Sequence, residues 1–289
     1  MKIIILIPVY NDWQSISKLL ENINLEISKL DHEFSAIIIN DGSTDRVPQN
    51  FNNIDNFKSI KIIDMKINKG HARCNAAGLK YIFENEEFNY VIPMDGDGED
   101  RPEEISIFID NLKYNLNKPI VGERIKRSEG LFFKICYMVH KLITYTFTGQ
   151  SIKFGNYTCL PKSIIEKMIN EKATWSSFSG SLAKIANDRA VIPSERGVRY
   201  FGPTKMSFKN LVIHSLSIIA VFKINVLVRS ILFILIYMFL IHQNITIIML
   251  TPIFLVLLLL VASFKVSDRE NLNEIKNSLS NISSINKIK

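Results

Sequence analysis

The run Ile245–Phe264 contains no charged residue, and it constrains the fold more than any other feature of the chain. Its 20 residues match the length of helix that crosses a hydrocarbon core of about 30 Å. A second apolar run, Val226–Ile241, has Arg229 as its one charged residue, close enough to one end for the side chain to reach the interface. Only residues 242–244 separate the runs. We therefore expect a helical hairpin in a membrane, with a re-entrant hairpin as the alternative because the first run is short.

The basic residues around the hairpin predict its orientation. No Lys or Arg lies in the turn between the runs, and six lie on the flanks: Lys205, Lys209, Lys223, Arg229, Lys265 and Arg269. The positive-inside rule places both flanks in the cytoplasm. We expect a multi-pass protein of the cell inner (cytoplasmic) membrane. Phe208–Phe222 has apolar residues at helical spacing, which fits either an amphipathic helix in the membrane interface or a helix packed on the core.

Residues 1–205 have the pattern of a globular α/β domain. Short apolar runs that predict strands alternate with segments of helical periodicity. The predicted strands are Ile3–Ile7, Phe34–Ile39, Ser59–Asp64, Tyr90–Met94, Pro119–Gly122 and Phe154–Leu160, and the main predicted helices are Asp12–Leu30, His71–Phe83, Pro102–Asn115 and Leu131–Thr148. This alternation predicts a mainly parallel, Rossmann-like sheet covered by helices, with ligands bound beyond the carboxyl ends of the strands.

The composition divides the chain into four parts. We expect an α/β domain over 1–205, an interfacial helix over 206–224, a transmembrane hairpin over 225–264 and a mobile cytoplasmic tail over 265–289. The tail is rich in Asn, Ser and Lys, a composition typical of segments that bury too little apolar surface to fold.

Asp95-Gly96-Asp97 follows the predicted strand Tyr90–Met94. Residues two apart in an extended segment share a face, so both carboxylates can point at one cation. A divalent ion held in this way, Mn2+ or Mg2+, keeps positions open for phosphate oxygens. Taken alone, the same residues also fit an exposed turn.

Four motifs give the chain a resemblance to a known family. They are Ile7–Asp12, Asn40–Asp45, Asn68–Arg73 and Asp95–Asp97, and they resemble the family 2 inverting glycosyltransferases of the GT-A fold. Phe154–Thr158, Glu195–Met206 and the hairpin that follows are similar to the branch with dolichol-phosphate mannose synthase and bacterial polyprenyl-phosphate glucosyltransferases.

The resemblance implies a metal-dependent transfer of a sugar from a nucleotide-sugar to polyprenyl (undecaprenyl-type) phosphate at the cytoplasmic membrane face. A UDP-sugar is mildly preferred over a GDP-sugar as donor. The alternative is a transferase that extends a lipid-linked or surface glycan at a sugar hydroxyl. No nucleic acid is expected as a partner, and a homo-oligomer is left open. A metal-dependent nucleotidyltransferase is disfavoured because the first strand runs into Pro8–Asn11 instead of a glycine-rich phosphate loop.

The resemblance also implies roles for individual residues. The catalytic group is Asp95, Asp97, Arg124 and Arg127, of which Asp95 and Asp97 hold the metal. The nucleotide group is Pro8, Tyr10, Asp12, Asp41, Asn68, Gly70, Arg73 and Asp95. The acceptor-phosphate group is Arg196, Arg199 and Lys205. Each has a structural alternative. Asp41 also fits a turn or helix cap, Arg73 a solvated side chain, and the basic loop the general charge found beside membranes. For His71, capping or packing is as well supported as ligand contact.

Two departures from the family pattern bear on the acceptor. Many relatives carry a later pair of carboxylates that includes a general base, but the corresponding segment, Thr174–Ser181, has none. A hydroxyl acceptor must lose a proton, whereas a phosphate monoester is already anionic near neutral pH. The missing pair favours a lipid phosphate, with Glu99, Asp100 and Asp188 left as candidate bases. The second departure is Asn40, where many relatives have aspartate.

Overall fold

The computed structural model describes residues 1–126, 131–203, 207–243 and 245–289. Its strands are β1 (Lys2–Val9), β2 (Glu33–Asn40), β3 (Phe57–Met65), β4 (Tyr90–Pro93), β5 (Ile120–Lys126), β6 (Phe154–Pro161), β7 (Ala190–Glu195) and β8 (Ile282–Lys287). Its α-helices are α1 (Trp13–Ile27), α2 (His71–Asn85), α3 (Ile105–Leu112), α4 (Leu131–Thr148), α5 (Lys162–Ile169), α6 (Phe178–Ile185), α7 (Phe208–Ala220), α8 (Lys223–Ile241), α9 (Thr251–Ser267) and α10 (Leu272–Lys276). Short 3-10 helices cover Pro102–Glu104, Lys172–Trp175, Ile248–Leu250 and Ser278–Asn281.

One eight-stranded sheet, in the order β7-β5-β6-β4-β1-β2-β3-β8, forms the centre of the domain. The strands β3, β2, β1 and β4 pair in parallel. Alternate side chains of β1 enter two different cores, because successive residues of a strand point to opposite faces. Ile4 and Leu6 pack in the core that contains α2, and Ile5 and Ile7 pack in the core that contains α1. Both faces are therefore covered, as the run of buried apolar residues predicts.

The sheet is mixed, because β6 and β8 run antiparallel to their neighbours. β5 ends at the same edge of the sheet at which β6 begins, since Glu123 pairs with Phe154. The intervening α4 therefore does not cross the sheet face, as a connection between parallel strands must. It packs instead against α7 and α8.

The helices α8 and α9 lie side by side and expose most of their apolar surface. By length and composition, two helical segments, Lys223–Ile241 and Ile248–Lys276, are long and apolar enough to span a membrane. Phe239 is 74% exposed, which is unusual for a large apolar side chain on a soluble surface. Arg229 donates from Nη1 to the carbonyl oxygen of Thr146 at 3.0 Å, which satisfies one of the free carbonyls at the end of α4.

The prediction of a mobile tail is wrong. β8 pairs antiparallel with β3, the edge strand of the parallel core, and α10 places Ile275 fully inside the core. An edge strand presents unpaired N–H and C=O groups, so it offers hydrogen bonds to a segment whose composition is polar. The few apolar residues of the tail are spaced so that Ile275 is buried and Leu279 and Ile282 pack against the same core.

Candidate active site

The carboxyl ends of β1, β2 and β4 meet at one edge of the sheet. Val9 pairs with Asn40, and the Asp41 N–H donates to the Val9 carbonyl at 2.9 Å. On the other side of β1, the Met94 N–H donates to the carbonyl of Leu6 at 3.0 Å. Tyr10, Asp41 and Asp95, each just beyond a strand end, are therefore brought to the same crevice from three separate parts of the sequence.

Two loops meet around Asp41 to form one wall of the crevice. We call residues 40–45 the first loop and residues 66–70 the second loop. The Asp41 carboxylate accepts hydrogen bonds from the backbone N–H groups of Lys69 and Gly70 at 2.9 and 2.8 Å. Burial raises the pKa of Asp41, and these two bonds oppose the shift. A Cβ on Gly42 would lie 2.9 Å from the backbone nitrogen of Asn68, so the loops are in direct contact.

The remaining nucleotide-group residues surround these loops. Pro8 is buried at the end of β1, and Tyr10 and Asn68 are exposed at the rim. Gly70 adopts φ +89° immediately before α2, a backbone conformation that a side chain would strain. Arg73, in the first turn of that helix, lies 5.8 Å from the centre of the Trp175 ring and donates to the Lys69 carbonyl.

Asp95 lies between polar side chains on two neighbouring elements. Its Oδ1 accepts from Nδ2 of Asn156 at 3.3 Å and lies 3.4 Å from Nε2 of His71, while Asn156 also contacts that histidine nitrogen. Burial by itself would raise the pKa of Asp95, but the charges of His71 and Arg124 and the bond from Asn156 outweigh it. The pKa of Asp95 is therefore below its ordinary value, and the group is ionised.

Asp97 is held by an arginine that sequence reasoning assigned elsewhere. Arg199 donates from Nη1 to Oδ2 of Asp97 at 2.7 Å and from Nη2 to Oδ2 of Asp12, so it bridges the two carboxylates. Burial, together with the negative charge of Asp95, raises the pKa of Asp97 to about 6. Arg196 makes a similar contact with the carboxylate of Glu99. Both arginines of the predicted acceptor-phosphate group are thus paired with carboxylates of the crevice.

This donor set fits a divalent cation. Two hard carboxylates are close enough for the charge of Asp95 to raise the pKa of Asp97, so they repel each other unless a cation lies nearby. The guanidinium of Arg199 supplies positive charge at Asp97. Within the described residues there is no group of three or more His, Cys, Asp or Glu side chains that could hold a metal. Asp95 and Asp97 would therefore bind such an ion together with ligand oxygens.

Arg124 lies close to Asp100, which in turn binds the backbone of Asp95. Its Nη2 lies 3.6 Å from Oδ1 of Asp100, and the other oxygen of Asp100 accepts from the Asp95 backbone N–H at 2.9 Å. Burial and the charge of Asp95 raise the pKa of Asp100 to about 8, which Arg124 opposes. The predicted site residues Arg127 and Lys205 lie outside the described residues.

The candidate bases are not equivalent. Asp188 pairs with Lys118 at 2.6 Å, and these residues precede β7 and β5, so they lie at the opposite edge of the sheet from the crevice. Glu99 and Asp100 are at the crevice. Thr174 and Ser181, in the segment without a carboxylate, are buried and hydrogen-bonded to each other.

Sequence reasoning missed Asn156 and His214 as site residues. Asn156 belongs to a motif that was recognised, but its contact with Asp95 depends on the antiparallel return of β6, which the sequence pattern does not reveal. His214 is on α7, and burial, with the neighbouring charge of His71, lowers its pKa to about 4. The charges of His71 and Asp95 both act on His214, so this part of α7 lies within electrostatic range of the crevice.

A scan against family models matches residues 4–164, more than half of the chain, to "Glycosyl transferase family 2". The chain belongs to this family. It is therefore a glycosyltransferase that depends on a nucleotide-sugar, and its mixed sheet is the GT-A fold. The matched segment includes all four motifs of the crevice, from Ile7–Asp12 to Asp95–Asp97.

Solved structures agree with this fold at low sequence identity. A fragment of S. aureus TarS in complex with UDP-GlcNAc is 14% identical, with a TM-score of 0.52 and coverage of 96% of this chain and 87% of that one. Glucosyl-3-phosphoglycerate synthase from Mycobacterium tuberculosis, in complex with Mn2+, UDP and phosphoglyceric acid, is 12% identical, with a TM-score of 0.53 and coverage of 78% of each chain. These likenesses concern the fold.

Proposed function

We propose that this glycosyltransferase moves a sugar from a nucleotide-sugar, preferably a UDP-sugar, to a polyprenyl phosphate at the cytoplasmic face of the membrane. The observation that carries the proposal is the exposed apolar surface of α8 and α9 in a chain whose crevice has the polar groups for a nucleotide. A water-soluble acceptor would not require such a surface. A lipid acceptor does, because its phosphate must reach the crevice while its chain stays in the bilayer.

The position of the helices supports this arrangement. α4 also exposes large apolar side chains, including Met138 and Leu142, and it packs against both α7 and α8. On α7, Phe208 and Val212 are exposed, whereas residues 217–220 are buried against the domain. The first half of α7 therefore fits the interfacial alternative, and the second half fits the core-packing alternative. In this proposal the membrane lies against α4, α7 and the hairpin, and the domain faces the cytoplasm.

In this proposal, some residues of the crevice bind the nucleotide-sugar donor and others bind the acceptor phosphate. In the proposal, Tyr10 and the first and second loops bind the nucleoside, and Asp41 holds the second loop through its backbone N–H groups. Arg73 and the N-terminus of α2 face the diphosphate with positive charge. Arg196 and Arg199 bind the acceptor phosphate once they leave their carboxylate partners. Asp95 and Asp97 hold Mn2+ or Mg2+, which would neutralise charge on the leaving diphosphate.

The chemistry of the crevice supports a phosphate as the acceptor. A phosphate oxygen is already an anion near neutral pH, so attack at the anomeric carbon requires no general base. The buried segment Thr174–Ser181 offers hydroxyl groups and no carboxylate. Asp188, one of three candidate bases, is at the wrong edge of the sheet.

The full chain, purified in detergent, tests the proposal with labelled UDP- and GDP-sugars and polyprenyl phosphate as acceptor, in the presence of Mn2+. We expect a lipid-linked sugar with inverted anomeric configuration from at least one donor. Asp97→Asn should abolish the product, whereas Asp188→Asn, which changes a carboxylate at the opposite edge, should not. Transfer to glycan hydroxyls with no lipid-phosphate product would refute the proposed acceptor.

The alternative, transfer to a sugar hydroxyl on a lipid-linked or surface glycan, is supported by one observation. Glu99 lies two residues after Asp97 and is paired with Arg196, so movement of that arginine would free a carboxylate in the crevice. Under this alternative, Glu99→Gln should abolish turnover with a hydroxyl acceptor. Under the leading proposal it should leave substantial transfer to polyprenyl phosphate.

A further inference from the structure

The segment after the hairpin does more than complete the sheet, because it contacts the second loop directly and is connected to the first loop through two side chains. The Lys66 N–H donates to the Asn281 carbonyl at 2.7 Å, and Asn281 Nδ2 donates to the Ile67 carbonyl at 3.1 Å. Glu274 accepts from Nε1 of Trp175 at 3.1 Å and lies 3.8 Å from Nζ of Lys69. The second loop is therefore held along its length by residues 274–281.

The first loop is reached through a relay of side chains. Asp64, at the end of β3, accepts at Oδ2 from Ser284 Oγ at 2.7 Å and from Asn286 Nδ2 at 2.8 Å. Its other oxygen accepts from Asn40 Nδ2 at 2.7 Å, and Asn40 Oδ1 accepts from the Ser43 N–H at 3.1 Å. The tail, Asp64, Asn40 and the first loop thus form one continuous chain of hydrogen bonds.

The relay also explains why an amide occupies position 40. Asn40 donates to a carboxylate and accepts from a backbone N–H at the same time, which an ionised aspartate cannot do because it has no hydrogen to donate. An aspartate there would place two carboxylates at hydrogen-bond distance, where their repulsion would separate the first loop from β3. The departure from the family pattern at Asn40 is matched by Asp64 and by the tail residues that hold Asp64.

We infer that residues 274–286 position the nucleotide-binding loops, with Asp64 and Asn40 as positioning residues, so that donor binding depends on the segment that follows the membrane hairpin. The inference rests on the proposed placement of the nucleotide against Asp41. These residues act by fixing the shape of the two loops before the nucleotide arrives, since ordering a loop on binding lowers affinity. Loosening the tail should therefore weaken nucleotide binding more than it affects global stability.

The test measures binding of UDP and of GDP, with Mn2+, to the full chain in detergent, alongside thermal unfolding of each variant. Ser284→Ala combined with Asn286→Ala removes the tail's two bonds to the Asp64 carboxylate without touching the crevice. We expect binding of the preferred nucleotide to weaken by about threefold to tenfold. The two lost hydrogen bonds go to Asp64 and not to the nucleotide, so only part of their free energy should appear in the affinity. The matched control, Lys287→Ala, changes an exposed residue of the same strand and should leave binding unchanged.

A charge swap separates positioning from a general loss of structure. Asn40→Asp should weaken nucleotide binding by at least about tenfold, because it puts two carboxylates together. Adding Asp64→Asn restores a carboxylate–amide pair with its direction reversed, and Asn at position 64 can still accept from Ser284 and Asn286. The double variant should recover most of the lost affinity, which a merely structural defect would not do.

The outcomes distinguish the inference from the function on which it rests. If the unaltered chain binds neither UDP nor GDP, the proposed nucleotide site is wrong. If the chain binds a nucleotide but the Ser284/Asn286 variant binds it equally well, the inference is overturned. It is also overturned if affinity and unfolding temperature fall in parallel in every variant and the charge swap gives no recovery.

Discussion

Replacing Arg199 with alanine should tighten binding of Mn2+ in the absence of nucleotide. The guanidinium holds Oδ2 of Asp97 at 2.7 Å, and a cation that binds this carboxylate must displace it. A hydrogen bond between charged groups contributes about 1.5–3 kcal/mol, and we take the lower value because the two side chains are 13% and 20% exposed. At about 1.4 kcal/mol for each factor of ten, the dissociation constant should fall by about tenfold.

The assay is a titration with Mn2+, in which binding is measured by calorimetry or from the electron paramagnetic resonance signal of the free ion. It should be run at pH 8, because removing Arg199 raises the pKa of Asp97 further above its value of about 6. Arg199→Lys keeps the charge but cannot bridge Asp97 and Asp12 as a fork, so an intermediate affinity is expected. Arg101→Ala, in an arginine 3.6 Å from Glu195, is the control and should have little effect. Unchanged or weaker binding in Arg199→Ala would refute the reasoning.

Three further predictions concern pH, backbone strain and the tail. Burial and the charge of Asp95 raise the pKa of Asp97 to about 6, so protons compete with Mn2+ below that pH. The affinity for Mn2+, measured by calorimetry, should fall about tenfold per pH unit below pH 6 and level off above pH 7. Constant affinity from pH 5 to 7 would contradict the pKa shift. Gly98→Ala places a Cβ 2.5 Å from the Tyr200 ring at φ +88°, whereas Gly202→Ala has φ +65° and open space around the new Cβ. In thermal unfolding, the Gly202 variant should lose only about 1–2 kcal/mol of unfolding free energy from backbone strain, and the Gly98 variant should lose more. Equal losses would count against the contact with Tyr200. Ile275→Ala should lower the free energy of unfolding by about 2–5 kcal/mol because the side chain is fully buried. An unchanged unfolding temperature would show that the tail is not packed on the domain.

The core of the fold was predictable because its signals are local. The run Ile3–Ile7 is apolar at every position, as a strand buried on both faces must be, and it lies in β1. The helix predicted from His71 begins at that residue, immediately after a glycine with positive φ. The convergence of Tyr10, Asp41 and Asp95 followed from a general property of parallel sheets, which holds whatever the details of the side chains.

The antiparallel strands were not predictable from the same signals. A strand's hydrophobic pattern is identical in either direction, so nothing in Phe154–Pro161 reveals that β6 runs against β4. The tail shows the same limit more clearly. Its polar composition predicts mobility when the tail is considered alone, but β8 gains its hydrogen bonds from β3, which lies more than 200 residues earlier in the chain.

Site residues were predictable to the extent that motifs identified them, but their partners were not. Arg199 was assigned to an acceptor phosphate from its position in a basic loop. That role stays a prediction, but the fold also pairs Arg199 with Asp97 and Asp12, at sequence separations of 102 and 187 residues. Such a pairing depends on the path of the chain from β7 back across the crevice, which no local pattern encodes.

Because β8 follows the apolar helices in the chain, the sheet can be completed only after those helices have been synthesised. The edge of β3 stays open until residues 282–287 have left the ribosome, and by then both apolar helices have already been synthesised. The domain would therefore reach its final form only after the hairpin has had the opportunity to insert into the membrane. Nascent chains arrested at residue 270 should be more sensitive to protease than full-length chains released in the presence of membranes, and equal resistance would argue against this order. Under the proposed function, the transferase would not bind its donor before its hairpin has reached the membrane.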